Sequence, residues 1–144
     1  MSRNFAQGWF EVRNPQKYVG KGKPKYRSGW EHAFMRFCDN NDSILQWASE
    51  SIAIPYRHPL TGRMTNYIPD FLIQYRTKKD RVVTELIEIK PKKQSIIESK
   101  ASNRDKAIVA VNYCKWDAAS KWCRRKGIQF RVITEDDIFR NVSK

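Results

Sequence analysis

The sequence predicts an α/β domain of the α+β type, and two observations carry that expectation. Apolar, β-branched runs bounded by turn residues fill the middle of the chain. Stretches of helical spacing precede and follow them. In 144 residues the order reads helix, three or four strands, helix, strand, helix, without internal repeat. That length suits one domain with a real core.

Residues 1–27 are read as a basic N-terminal arm. Lys17, Lys21, Lys23, Lys25 and Arg27 stand against a single acid, Glu11, and Gly20, Gly22 and Pro24 oppose regular structure. Trp9, Phe10 and Tyr18 are the side chains available to pin it. The domain proper is assigned residues 28–144. A helix starts at Ser28, an N-cap with Glu31 as its reciprocal capping acid. Trp30, Phe34, Phe37 and Cys38 recur along it, and Asp39-Asn40-Asn41-Asp42 stops it. Ile44-Leu45-Gln46-Trp47 and Ile52-Ala53-Ile54-Pro55-Tyr56 are strand-like, and 58–63 is a turn. Thr65 to Tyr75 reads as one strand. Lys78-Lys79-Asp80 turns the chain, and Val82 to Lys90 returns as an antiparallel partner that Pro91 ends. A long helix is expected from Asn103 to Lys126, with Gly127 beyond its end and Ile108, Val111, Ala118 and Trp122 on its inner face. Residues 128–133 form a last strand, and Thr134 caps a short acidic terminal helix.

The formal net charge is +13, an imbalance that suits a polyphosphate partner. Five Trp, six Tyr and seven Phe argue against disorder over most of the chain. Cys38, Cys114 and Cys123 are odd in number and lack C-x-x-C spacing, so a disulfide framework is not indicated and a reducing compartment is expected. No apolar run reaches the length of a membrane span, so no membrane partner is expected.

The chemistry-bearing residues sit in apolar surroundings. Asp70 lies within Tyr67-Ile68-Pro69-Asp70-Phe71-Leu72-Ile73, and Glu88 and Lys90 within Leu86-Ile87-Glu88-Ile89-Lys90-Pro91. Ionised groups belong in central strands only when paired or metal-bound. Alternation puts Glu88 and Lys90 on one face. If the two runs pair, two carboxylates and an ammonium converge. Mg²⁺ keeps several waters and needs one or two carboxylates, so Asp70 and Glu88 suffice, with the carbonyl of Ile89 as a third ligand and Mn²⁺ as a substitute. Lys90 would then orient the attacking water or stabilise developing charge. The plainer account is a structural ion pair of Lys90 with either acid.

Pro69-Asp70, with Glu88-Ile89-Lys90, resembles the PD-(D/E)xK motif, and the element order resembles the αβββαβ core of that nuclease superfamily, in which helices flank a mixed central sheet. The superfamily often carries an acid on the preceding helix, where Glu31 stands after Ser28-Gly29-Trp30. The combination resembles TnsA-type endonuclease domains and phage Holliday-junction resolvases. Over nearly the whole chain it is similar to the head completion nucleases of T-even-like tailed phages. Phe5-Ala6-Gln7-Gly8, Asn14-Pro15-Gln16-Lys17-Tyr18-Val19-Gly20, Tyr26-Arg27-Ser28, Ile44-Leu45-Gln46-Trp47-Ala48-Ser49-Glu50, Tyr67-Ile68-Pro69-Asp70 and Ile87-Glu88-Ile89-Lys90-Pro91 carry that likeness. It implies Mg²⁺-dependent endo- or exonucleolytic hydrolysis of DNA during virion maturation. It also implies partners among phage head or neck proteins, and work in the host cytoplasm or the virion.

Asp70, Glu88, Ile89 and Glu31 are thus the expected metal ligands, and Asp70, Glu88, Lys90 and Glu31 the catalytic set. Glu31 is equally explained as a cap, and Glu50 is its rival. Glu85 faces away from Glu88 and is set aside. Lys21, Lys23, Lys25 and Arg27 on the arm, and Lys92 and Lys93 after the motif, are candidate DNA contacts; solvated surface is the alternative for each. Lys115, Lys121, Arg124, Arg125 and Lys126 on the long helix are weaker candidates. His32 and His58 lack zinc-ligand partners. The other functions that fit are a non-catalytic DNA-binding virion protein and a homodimeric junction resolvase. Every expected catalytic residue lies outside 1–25, so a chain lacking residues 1–25 is expected to keep cleaving at low salt and high concentration.

Overall fold

The computed structural model of the chain describes residues 7–94 and 102–137. It opens with a short antiparallel pair, β1 (Gly8–Trp9) against β2 (Lys25–Tyr26). The basic segment between them does not stand off from the domain. Phe10 is buried, and Tyr18 meets Trp47 edge-on with ring centroids 4.7 Å apart. The Trp47 N–H donates to the Lys17 carbonyl, and the Val19 N–H donates to the Trp47 carbonyl. Phe10 and Tyr18 therefore do the pinning, whereas Trp9 is exposed. Backbone pairing along the outer edge of the strand that holds Trp47 covers an otherwise open sheet edge.

Helix α1 (Gly29–Asn40) begins where expected, with the Ser28 hydroxyl accepting the Glu31 N–H at 3.1 Å. Glu31 reaches back to the N–H of Arg27, one residue before the reciprocal position. The Asp-Asn run stops the helix, which ends at Asn40 with Asn41 as its C-cap. Asp39 stays helical and buried, because its carboxylate accepts the N–H groups of Arg13 and Asn14. Lys17 donates to the carbonyls of Asp39 and Asn41, neutralising the negative helix end.

β3 (Ile44–Ser49), β4 (Ile54–Arg57), β5 (Met64–Tyr67), β6 (Phe71–Arg76) and β7 (Val82–Ile89) follow. The strand expected from Thr65 to Tyr75 is two strands. β5 pairs with β4 in a separate hairpin, and β6 joins β3 and β7. Pro69 explains the break: it has no N–H for a ladder and restricts the residue before it. Asp70 consequently sits in the bend before β6 rather than within a strand. The β6–β7 hairpin is antiparallel, as expected, with Phe71 opposite Ile87.

Helix α2 (Asn103–Lys126) has Ser102 as N-cap, and Gly127 follows at φ 72°, the left-handed conformation glycine adopts without strain. Its buried residues are Val109, Asn112, Ala119 and Cys123, one position round from the expected face. Small Ala119 and Cys123 allow close approach to the sheet and the β4–β5 hairpin, so Ile108, Val111, Ala118 and Trp122 flank the contact instead. α2 carries the chain across to β8 (Gln129–Ile133), parallel to β7. The sheet order β3-β6-β7-β8 is mixed, with β6 and β7 central. Thr134 precedes a helical turn at 135–137, and the rest of the expected terminal helix lies outside the described residues.

The alternation of β6 and β7 divides the core. Phe71, Ile73, Ile87 and Ile89 meet Phe34, Met35 and Cys38 of α1 on one face. Leu86 meets Ile54, Tyr56, Tyr67, Ala119 and Cys123 on the other. All three cysteines are free thiols.

Candidate active site

The break at Pro69 positions the first acid. The Glu50 N–H donates to the Asp70 carbonyl at 2.9 Å, tying the bend to the end of β3. The Asp70 carboxylate accepts the Ile89 N–H at 2.7 Å, tying it to the end of β7. Glu88, next door on β7, is buried, and Lys90 Nζ stands 3.5 Å from its Oε2. Asp70, Glu88 and Lys90 thus meet at one end of the two central strands. Ile89 contributes its N–H to Asp70 and its side chain to the α1-side core.

Burial, then repulsion from Glu88 and Glu31, pushes the Asp70 carboxyl well above its ordinary pKa; the Ile89 N–H and Lys90 oppose this. Burial likewise raises Glu88, against Lys90. Glu31, at the start of α1, is raised by burial and repelled by Glu50 and Glu88. Among the described residues, no three His, Cys, Asp or Glu side chains form a ready-made ligand set. Asp70 and Glu88 are a pair, with Glu31 adding its field. The donor chemistry still fits a hard divalent cation. Two oxygen ligands repel each other where they are poorly solvated, and Glu88 Oε1 is buried without a hydrogen-bond partner.

Glu50, the rival acid, is held by Arg27, whose Nε and Nη2 both reach its carboxylate at 3.2 Å. Glu50 also adopts φ 49°, an uncommon conformation for a non-glycine residue. Of the two acids, Glu31 is the one whose charge acts on Asp70. Glu85 faces the opposite side, where Tyr75 and Arg131 hydrogen-bond it.

The expected DNA contacts are scattered. Lys21 is exposed. Lys23 pairs with Glu11 at 2.7 Å, and Lys25 lies over the Trp9 ring. Lys92 reaches Asp136, while the Lys93 side chain lies outside the described residues. Sequence reasoning undervalued Lys115. From α2 it approaches Lys90, Glu88 and Asp70, and its ammonium lies 5.7 Å from the Tyr67 ring centroid. Its spacing from Ile108, Val111 and Asn112 on a helix turned toward the sheet was the available signal. Tyr67 was also missed. Its hydroxyl is buried facing Glu88 and the Trp116 indole, without a well-aligned hydrogen bond to either.

Residues 41–135 match the family described as TnsA-like endonuclease N terminal. The chain is also 35% identical, over 91% of its length and 92% of the relative's, to a head completion nuclease of Enterobacteria phage T4. The chain belongs to the TnsA-like endonuclease family. The TnsA-like span takes in β3 to β8, hence Glu50, Asp70, Glu88, Lys90 and Lys115, but starts after α1 and Glu31. The mixed α+β architecture is the one expected for a TnsA-like nuclease domain.

Proposed function

We propose that this chain is a divalent-metal-dependent DNA nuclease of the PD-(D/E)xK kind, acting when a phage head is completed. The observation that carries the reading is the convergence of Asp70, Glu88 and Lys90 at the ends of β6 and β7. Kinship with a head completion nuclease supports the setting, and the net charge of +13 supports a DNA substrate. In this reading the protein works in the host cytoplasm beside other head or neck proteins.

Asp70 and Glu88 would hold Mg²⁺ or Mn²⁺, with Ile89 offering its carbonyl. A bound divalent cation supplies Lewis acidity and lowers the pKa of a coordinated water. The chain's own groups do the rest. The Ile89 N–H fixes the Asp70 carboxylate, so that its second oxygen is presented at a constant place. Lys90, held against Glu88, offers an N–H to the attacking water or to the charge that grows on the phosphate oxygens as the water oxygen bonds to phosphorus and the P–O ester bond breaks. Glu31 serves as an accessory acid at the rim, its position set by the α1 cap.

The test is degradation of supercoiled plasmid by purified protein with Mg²⁺, with excess EDTA, and with Asp70→Ala. Cleavage by wild type in Mg²⁺ only, and none by the variant, is expected. Full activity in EDTA would remove the metal from the reading, and an active Asp70→Ala would remove the site.

A further inference from the structure

Beside the catalytic end of the sheet, a groove of about 350 Å³ runs between α2 and the β4–β5 hairpin. Among the described residues, Lys90, Arg104 and Lys115 are the cations that line it. Leu60, at the hairpin tip, and Ile108 and Val111, on α2, give it an apolar wall, and among the described residues no carboxylate lines it. Leu60 is 65% exposed, so its side chain is open to whatever enters the groove. Lys90 belongs both to this groove and to the Asp70–Glu88 site, so whatever fills the groove abuts the reacting phosphate.

We propose that this groove seats one unpaired nucleotide of the substrate strand, next to the scissile phosphate, with its phosphate on Lys115 and Arg104 and its base against Leu60, Ile108 and Val111. The inference deepens the nuclease reading and rests on it for the position of the scissile bond. Charge complementarity selects the occupant: cations on one side match a phosphodiester, and the apolar wall matches a base face. Phosphates of an intact duplex would use the cations and leave the apolar wall idle. An unpaired nucleotide uses both. The tilt of Lys115 over Tyr67 fits this, since the ring keeps the ammonium turned toward the site.

The experiment measures binding of a fluorescent single-stranded oligonucleotide and of a blunt duplex, in EDTA, across a salt series. Lys115→Ala and Arg104→Ala should each weaken single-strand binding several-fold and flatten the slope of log K against log salt by about 0.7. Leu60→Ser should weaken single-strand binding without changing the slope, and leave duplex binding as it was. Lys79→Ala, at the far turn of the β6–β7 hairpin, removes the same charge and should leave the slope unchanged. Lys115→Gln serves if the alanine variant melts early. Unaltered slopes in both groove variants would overturn the proposal, as would equal losses with Lys79→Ala or an equal effect of Leu60→Ser on duplex. Wild type that shows this binding pattern yet cleaves no DNA in Mg²⁺ would overturn the active-site reading instead.

Discussion

Asp70 is buried and repelled by Glu88 and Glu31, which its backbone N–H partner only partly offsets, so its charge is a liability to the metal-free fold. The sign follows from proton linkage. Its folded pKa is raised above the ordinary 3.8, so the native state keeps that proton to higher pH than the unfolded chain does. Stability from this group is therefore fully present below the ordinary value and lost as pH rises through the raised one. In EDTA, Asp70→Asn should melt above wild type at neutral pH, with the gap closing toward pH ~4. Mg²⁺ should raise the Tm of wild type and not of the variant. Equal melting curves at every pH would show that the Asp70 charge is not disfavoured in the fold. Lys90 is predicted to act differently. Lys90→Ala should keep Mg²⁺ affinity, read by calorimetry, and lose turnover by about 10² or more. Near-normal cleavage would make it a structural partner of Glu88.

At the scale of elements, the segment before α1 reverses an expectation. Charge and glycine content suggest a dispensable arm, but Phe10 lies in the α1-side core and Arg13 and Asn14 satisfy the buried Asp39. Deleting residues 1–25 should therefore cost the fold, and activity with it. Phe10→Ala alone should lower unfolding free energy by about 3–5 kcal/mol, measured by urea denaturation. A deletion that melts like wild type and still cleaves would restore the arm reading. The other elements were legible where local chemistry decides them. Ser28 and Ser102 mark helix starts, Gly127 marks an end, and Thr77–Arg81 marks the hairpin turn. The division of Thr65–Tyr75 was less legible, because alternation continues across Pro69 while the hydrogen-bond partner changes. The turn of α2 by one residue escaped for a similar reason. Hydrophobicity favours Ile108 and Trp122, but close packing favours Ala119 and Cys123.

Over the whole molecule, the net charge of +13 predicts that, on the proposed nuclease reading, DNA binding falls steeply with salt. Some of the basic residues are engaged within the fold, however. Lys17 caps α1, Lys23 meets Glu11, and Arg27 holds Glu50. Substituting these should change the salt slope less than substituting Lys115 does. Thiol accessibility tests the packing of both faces together. Burial pushes Cys123 up to about 11 and raises Cys38 further, so neither forms a thiolate at neutral pH. One thiol, Cys114, should react with an aromatic disulfide reagent in the native protein, and three in denaturant. Three fast-reacting native thiols would contradict the packing.

The sequence by itself determined the types of most elements from Ser28 onward, the antiparallel return of β7 on β6, the shared face of Glu88 and Lys90, and, given that return, their convergence with Asp70. Each follows from short-range rules: capping, turns, alternation and the cost of an unpaired buried charge. Only the tertiary structure decided that Asp70 hangs from a bend pinned by Ile89 and Glu50, that Arg27 occupies Glu50 and leaves Glu31 facing the site, and that α2 brings Lys115 beside Lys90. Those depend on which surfaces meet. Sheet order and the packing of small residues across the layers set that, and no local pattern of charge or hydrophobicity encodes it.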